Sequence, residues 1–435
     1  MALRKYLRMC FGWSATVPVT ETWNSGMQAR TLALQSAALA ICAIVFAGTA
    51  LAQDPTQIGR GNAQFERGQT SVRIPFTGDN LIIVDVRVND SAPVKFLFDT
   101  GAGITVLSER LATQLKLKKV DDLDAKGVGG TVQGSLAQGV TLSVPGVKVS
   151  NQPVAVLPLD FPCDLQEIGG IIGYNFINEF VVEIDYDAKR MSLSAPAAYK
   201  YAGRGERVAL DIVGGTPRAR ARVALSGASP VDAILEIDTG SDGTLRFNSP
   251  FVKKHSLIEA LKSSTDSIHR GAGGESPSVD ARLAVLMFGG SKITDPLVSF
   301  STDTEGVAAA TDNDGPLGNE ILRRFRLVID YSRKQMMIEP NAHLTEPIDS
   351  GMSGLEFDSE DCQMSKITGV TAGSAAASAG IKAGDEIVAI NGRPLTELTS
   401  FQIEKLLSQN GAEQSLTIKR DGKISVVKIK LRRLL

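Results

Sequence analysis

Short apolar runs, separated by glycine, proline and polar residues, recur along the chain and predict a mainly β protein. Two of these runs, at residues 96–98 and 234–237, end in the same way, because an aspartate, a threonine and a glycine follow each of them. A carboxylate at the end of a buried strand costs free energy unless the protein makes use of it. Asp99 and Asp238 are therefore the first candidates for a functional site.

The sequence around these aspartates is repeated over a longer distance. Asp238 follows Asp99 by 139 residues, and two further segments match at an offset of 145 residues. The matched segments are residues 171–173 (Ile-Ile-Gly) with 316–318 (Pro-Leu-Gly), and residues 180–186 with 325–331. The same order of segments twice in one chain predicts two similar β-rich lobes, at residues 71–195 and 208–341, each of ordinary domain size.

Residues 1–52 are predicted to be a targeting region. A positive charge, an uncharged and mostly apolar stretch at 32–47 and small residues at 50–52 have the layout of a secretory signal, which we place at 27–52. The uncharged run is also long enough to span a bilayer, so an uncleaved anchor is the alternative, and only then is the membrane a partner. Residues 53–70 predict a flexible polar leader. Either way the body of the protein is expected to be secreted or periplasmic.

Charge and composition exclude several classes of partner. The formal net charge is −2, which gives no electrostatic reason to expect nucleic acid as a ligand. The three histidines are widely scattered, so we predict no metal site. Of the four cysteines, two lie in the targeting region, and the remaining pair is expected to be free thiols.

A pair of carboxyl groups, one from each lobe, has a chemistry of its own. Two carboxyls a few ångströms apart share one proton, because both cannot ionise at low cost. The ionised member can take a proton from a water molecule while the protonated member donates to a carbonyl oxygen. This combination hydrolyses an amide without a metal, a cofactor or a covalent intermediate, and we accordingly predict no cofactor.

The motifs that begin at Asp99 and Asp238 resemble the active-site motifs of the pepsin/retropepsin aspartic proteases. The chain is most similar to the bacterial retropepsin-like members, here with two β-barrel lobes in tandem. The resemblance implies that these aspartates are the catalytic dyad and that a threonine from each lobe hydrogen-bonds across the pair. It also implies a set of supporting residues around the dyad, namely Thr100, Gly101, Thr239, Gly240, Gly173 and Gly318.

The same resemblance implies flap hairpins that close over a polypeptide substrate. In the first lobe the glycine-rich stretch supplies Gly127, Gly129 and Gly130, and residues 270–274 are the corresponding stretch of the second lobe. Neither stretch has the tyrosine found in pepsin flaps. The loops after the two aspartates also differ, since Ala102 stands opposite Ser241 and the second loop is one residue longer.

Residues 351–435 follow a different pattern, with an amphipathic helix at 400–408 and two alternating strands at the end. Residues 379–392 resemble the corresponding segment of PDZ domains. That family binds peptides by strand addition, and the resemblance implies a set of peptide-binding residues, namely Gly354, Leu355, Glu356, Phe357, Phe401 and Ile403. Glu356 stands where the family has a glycine, so the partner is either a chain terminus or an internal peptide segment.

The leading hypothesis is a secreted or periplasmic aspartic endopeptidase with a PDZ domain that recruits or gates its polypeptide substrates. The second hypothesis is a periplasmic peptide-binding or adaptor protein that keeps the fold without turnover. A further alternative is that each lobe pairs with a lobe of another chain, as in homodimeric retropepsins.

Overall fold

The computed structural model describes residues 45–46, 62–128, 130–159, 161, 165–349, 351–357 and 364–434. The predicted signal, most of the predicted leader, Gly129 and the four cysteines lie outside this part of the chain, apart from the backbone of strand β1 (Val45–Phe46). Among the described residues, no helix is both long and apolar enough to cross a membrane.

The first lobe is built from strands, as the apolar runs predict. Its strands are β2 (Ala63–Phe65), β3 (Ser71–Pro75), β4 (Ile83–Val88), β5 (Val94–Phe98), β6 (Val106–Ser108), β7 (Lys119–Gly127), β8 (Gly130–Val144), β9 (Val147–Leu157), β10 (Ile168–Ile172), β11 (Val181–Asp185) and β12 (Arg190–Ser194). Its helices are α1 (Glu109–Gln114), α2 (Tyr174–Ile177) and a 3-10 turn at Glu66–Gly68. β2 lies in the predicted flexible leader, so the leader forms a strand at this point. Phe65 packs edge-on against Phe180, with 5.9 Å between the ring centroids.

Six of these strands close into a barrel in the order β8-β4-β5-β10-β6-β9, since β9 pairs again with β8. Apolar and polar residues alternate along β4. Val84, Val86 and Val88 are buried on one face of the strand, while Asp85 and Arg87 are exposed on the other. β7 and β8 extend beyond the barrel as a hairpin.

The second lobe carries corresponding elements. They are β13 (Glu206–Ala209), β14 (Asp211–Val213), β15 (Thr216–Ala224), β16 (Val231–Ile237), β17 (Arg246–Phe247), β18 (Thr265–Gly271), β19 (Gly274–Arg282), β20 (Val285–Phe288), β21 (Ser291–Thr294), β22 (Leu297–Ser301), β23 (Gly315–Leu317), β24 (Phe325–Asp330) and β25 (Gln335–Pro340), with α3 (Ser249–Lys254) and α4 (Asn319–Leu322). Short 3-10 turns lie at Val307–Ala309, Tyr331–Arg333 and Ala342–Thr345. Here the strands form two sheets, β21-β20-β15-β16-β23 and β17-β22-β19-β18. The long strand β8 of the first lobe corresponds to two shorter strands in the second lobe, β19 and β20, and each of these belongs to a different sheet.

A six-stranded sheet joins the lobes in the order β13-β25-β24-β11-β12-β3. At its centre β11 pairs antiparallel with β24, and Glu183 lies opposite Val328, the residue 145 positions later. The repeated segment therefore pairs antiparallel with its own second copy, and equivalent residues lie opposite each other at Glu183 and Val328, which places a local two-fold axis at this pair. The origin of the lobes by duplication stays a prediction.

The C-terminal region has its own hydrophobic core. Its elements are β26 (Leu355–Phe357), β27 (Ile367–Val370), β28 (Glu386–Ile390), β29 (Arg393–Pro394), β30 (Glu413–Arg420), β31 (Lys423–Lys430), α5 (Ala375–Ser378), α6 (Ser400–Leu407) and a 3-10 turn at Leu395–Glu397. α6 begins with a capping box between Thr399 and Gln402, and it buries Ile403 and Leu407, which lie one helical turn apart.

Candidate active site

Each aspartate directly follows a strand, and a second strand pairs in parallel with that strand. β5 pairs with β10 and β16 pairs with β23, so the two short apolar-Gly segments lie directly beside the aspartate-bearing strands. The backbone N–H of Asp99 donates to the Ile172 carbonyl at 3.0 Å, and that of Asp238 donates to the Leu317 carbonyl at 3.1 Å. The start of each loop is fixed by the same contact.

The glycine that follows each of these supporting strands lies against the backbone of the active-site loop. A Cβ atom at Gly173 would overlap the Ile104 carbonyl group, and one at Gly318 would overlap the Gly243 carbonyl oxygen. Only glycine allows so close an approach of two backbones. Gly173 and Gly318 are thus placed where the sequence resemblance implies, behind the loops and at the start of α2 and α4.

Thr100 and Thr239 bond to each other's lobes reciprocally. The backbone N–H of each donates to the other's hydroxyl oxygen at 3.0 Å. The Thr100 hydroxyl donates to the Ile237 carbonyl at 2.6 Å, and the Thr239 hydroxyl donates to the Phe98 carbonyl at 2.8 Å. Both threonines are fully buried. If one of these hydrogen bonds were broken, no water could take the place of the lost partner, and a buried polar atom would be left unsatisfied.

The two carboxyl groups face each other across this junction, and both side chains are fully buried. Gly101 N–H donates to Asp99 Oδ1 at 2.7 Å, and Gly240 N–H donates to Asp238 Oδ1 at 2.9 Å. A Cβ atom at Gly101 would come within 2.8 Å of Asp238 Oδ1, and one at Gly240 would overlap the Asp99 carboxyl carbon. Each glycine therefore borders the carboxyl of the opposite lobe.

Burial, and next the neighbouring carboxyl of Asp238, raise the pKa of Asp99 well above its ordinary value, while the Gly101 N–H opposes the shift. Asp99 Oδ2 has no hydrogen-bond partner within the described part of the chain. The arrangement favours a protonated Asp99 beside an acceptor, which is the state that a shared-proton dyad requires.

A third buried carboxyl, Glu236, lies behind the dyad and was not among the site residues predicted from the sequence. Its Oε2 accepts from the Thr216 hydroxyl at 3.0 Å, and burial followed by the Asp238 charge raises the pKa of Glu236 to about 8. The positive charge of Arg218 acts to lower the pKa of Glu236. Arg218 also forms a salt bridge with Asp312, with 2.7 Å between Arg218 Nη2 and Asp312 Oδ2. The period of two along a strand places Glu236 and Asp238 on one face, and that pattern could have identified it.

The glycine-rich stretches form the tips of two hairpins. In the first lobe Gly127 and Gly130 end β7 and begin β8, and in the second lobe β18 and β19 turn at residues 271–274. The tips meet, because a Cβ atom at Gly127 would overlap the Ala272 carbonyl and one at Gly273 would come within 2.8 Å of the Gly130 N atom. The contact brings the two predicted flaps together at their tips.

The predicted peptide-binding residues of the C-terminal region do not share one open surface. Leu355 and Ile403 are buried in its core, Glu356 is 6% exposed, and Phe357 is partly buried. Burial raises the pKa of Glu356, whose Oε1 has no hydrogen-bond partner within the described residues. Gly354 has a φ of +72°, and a Cβ atom there would overlap the Ser374 side chain.

Phe401 faces elsewhere. It lines a cavity between α6 and the second lobe. Residues 358–363, which follow β26, lie outside the described part of the chain.

Across the residues that are described, no group of three or more His, Cys, Asp and Glu side chains is arranged to hold a metal ion.

Comparison with known proteins agrees with this geometry. A family model for an aspartyl protease matches residues 84–176, and one for a PDZ domain matches residues 366–420. The chain contains an aspartyl protease domain and a PDZ domain. The protease match includes Asp99 and Gly173 but ends before Asp238. No curated protein matches the chain closely enough to count as a relative.

Proposed function

We propose that the chain is an aspartic endopeptidase whose catalytic dyad is Asp99 and Asp238. The observation that carries the proposal is the pair of fully buried carboxyls, one from each lobe, held by reciprocal threonine bonds. The match of the first lobe to aspartyl proteases supports the reaction class. The pairing of β11 with β24 within one chain favours a site built from both lobes of one molecule.

In the reaction that we propose, Asp99 enters protonated and Asp238 enters ionised. A water molecule between them attacks the peptide carbonyl carbon, its proton passes to Asp238, and the Asp99 proton passes to the carbonyl oxygen. The tetrahedral diol then collapses as the C–N bond breaks: one diol hydroxyl returns its proton to Asp99 as the new C=O forms, and the proton on Asp238 moves to the leaving nitrogen. The raised pKa of Asp99 supports this assignment of roles.

The hairpin tips support a polypeptide as the substrate. Their contact above the lobes would enclose an extended chain and exclude bulk water from the dyad, which strengthens every charge interaction there. We infer that the PDZ domain recruits or gates such substrates, and that the protein works outside the cytoplasm because residues 27–52 have the layout of a secretory signal.

The test is turnover of an unfolded protein by the wild-type chain and by Asp99→Asn and Asp238→Asn. Each variant should lose about 10²–10⁴-fold in kcat/KM, the usual contribution of a general acid or base. Asp85→Asn is the matched control, since Asp85 is exposed on β4 and should leave turnover unchanged.

Full cleavage by either dyad variant would contradict the proposal. Peptide binding with no cleavage by the wild type would instead favour the adaptor protein. Sedimentation of the active species distinguishes a monomer, which we expect, from a dimer that pairs lobes between chains.

A further inference from the structure

A cavity of about 600 Å³ lies between the second lobe and the PDZ domain. One end of it is formed by Asp242 and Gly243, which follow directly after the motif that begins at Asp238. Phe401 and Glu404 of helix α6 also line the cavity. The volume is in the range of pockets that enclose a ligand, and the position makes the cavity a neighbour of the dyad.

Four polar side chains from the second lobe form part of the lining, and the dyad reaction does not use them. The hydroxyls of Ser267 and Ser299 donate to Asp280 Oδ1 at 2.8 Å and 2.6 Å. His269 Nε2 shares a hydrogen bond with the Ser299 hydroxyl at 2.9 Å and lies 3.9 Å from Asp280 Oδ1. A carboxylate that is 6% exposed is thus fixed in place beside an open cavity.

The charges around the cavity are unequal. Six carboxylate side chains line it, against three from lysine and arginine, and the carboxylates are Asp242, Asp280, Glu320, Glu346, Asp349 and Glu404. Two of the three cations are engaged by carboxylates of the lining, Arg323 with Glu320 at 2.6 Å and Arg433 with Asp349 at 3.0 Å. The net charge of the lining favours a cationic group.

The PDZ wall of the cavity is fixed by contacts with both lobes. Arg433 of the PDZ domain bonds to Asp295 of the second lobe at 2.6 Å. The Thr399 hydroxyl, which caps α6, donates to Asp79 of the first lobe at 3.2 Å. Arg282 of the second lobe bonds at 2.6 Å to Asp349, in the segment that leads into the PDZ domain. The separation of α6 from the catalytic loop is therefore defined by the fold.

We propose that this cavity is an extended substrate subsite, which takes a basic side chain of the polypeptide a few residues from the scissile bond. This inference rests on the proposed endopeptidase function. A polypeptide that lies across the dyad passes the loop at Asp242 and then meets α6, the helix beside which PDZ domains hold peptides. The PDZ domain is then part of the substrate site itself, in addition to any separate recruiting role.

The first experiment maps the cleavage sites that the full chain makes in a mixture of denatured proteins by mass spectrometry. We expect lysine and arginine to be enriched about tenfold at one fixed position near the scissile bond. Glu404→Lys should abolish this enrichment, and Asp280→Asn should weaken it. Glu397→Lys is the matched control, because it makes the same charge change on the PDZ domain outside the cavity and should keep the profile.

A profile without basic preference, or a preference that Glu404→Lys leaves intact, overturns the subsite. The outcome is separated from failure of the proposed function by a second measurement on the Asp99→Asn chain. Fluorescence anisotropy of a labelled Lys-containing peptide should report binding that weakens about tenfold with Glu404→Lys and not with Glu397→Lys. Such binding in a chain whose wild type shows no turnover would uphold the subsite and reject the endopeptidase, and equal binding by both variants would reject the subsite.

Discussion

The two lobes hold their aspartates in the same backbone frame and differ in what lies behind it. In both, a parallel strand supports the loop, a threonine bonds across the junction and a glycine borders the opposite carboxyl. Behind the frame, Leu97 of the first lobe is replaced by Glu236, 139 residues later, in the second. The position of the dyad therefore depends on backbone contacts, which tolerate very different side chains one layer deeper.

The difference extends to the rest of each lobe. The first lobe is a closed barrel whose interior beside the dyad is apolar, with Leu97, Ala102 and Ile104 in one buried cluster. The second lobe is two separate sheets, and Asp280 with its serine partners lines the same cavity as the loop that follows Asp238. The aspartyl protease match, residues 84–176, lies within the first lobe. The lobe whose interior beside the dyad is apolar is thus the one that the family model matches.

Exchanging the residues behind the dyad should give the largest effect on stability. Leu97→Glu loses a fully buried side chain and buries an acid, so we expect it to lower the free energy of unfolding by about 3–5 kcal/mol. Glu236→Leu should cost less than about 2 kcal/mol, because Thr216 retains its bond to the Val213 carbonyl and Arg218 retains Asp312. Urea unfolding at pH 7 measures both, and equal losses would contradict the difference between the lobes.

Glu236 should make the stability of the protein depend on pH. The pKa of Glu236 is raised from 4.5 to about 8, so the folded state holds a proton that the unfolded state releases. Its contribution is fully present below pH 4.5 and is lost as the pH rises through about 8, by on the order of 5 kcal/mol. Unfolding at a series of pH values should show this decline.

Glu236→Gln should flatten that decline and leave the part due to Asp99, whose pKa is also raised. The groups that interact with Glu236 are Asp238, Arg218, Thr216 and Asp312. An unchanged pH profile in the Glu236→Gln chain would show that this carboxyl does not hold the proton.

The glycines that border the carboxyls should differ in their effect on activity. Gly240→Ala places a Cβ atom over the Asp99 carboxyl, and we expect a loss of about 10²-fold or more in kcat/KM. Gly101→Ala brings its Cβ to 2.8 Å from Asp238 Oδ1, a milder clash, and should lose less. Gly227→Ala is the control for glycine replacement: its Cβ would meet no atom, so the variant should lose some stability through the φ of +81° and keep the activity of the folded chain. A larger loss for Gly101→Ala than for Gly240→Ala would reverse the order that the geometry predicts.

The threonine bonds should show the smallest difference between the lobes. Thr100→Val and Thr239→Val each remove one reciprocal donor and acceptor, at a cost of about 1–3 kcal/mol. We expect the two single variants to agree within about 0.5 kcal/mol and the double variant to cost less than their sum, because they share partners. Additive losses in denaturant unfolding would show that the bonds act independently.

Much of the fold followed from local patterns. The mainly β class and the protease and PDZ resemblances are confirmed. They could be predicted because they depend on alternating apolar residues and on short motifs that are contiguous in the chain. The predicted helix at 400–408 is α6 with a difference of one residue, since its capping box and apolar spacing are local. The leader was predicted to be flexible, yet Ala63–Phe65 pairs with β9, a partner more than eighty residues away that no local pattern reveals.

The two Asp-Thr-Gly loops and the glycines behind them could be located from local sequence alone, because each needs a particular backbone conformation or a close approach that few residues permit. The tertiary structure alone decided what surrounds them. Glu236 becomes a functional candidate only when Asp238 is buried beside it, and Phe401 faces the second lobe only because the PDZ domain is bound there. Charge, burial and cavities depend on residues distant in the chain, and no local pattern determines them.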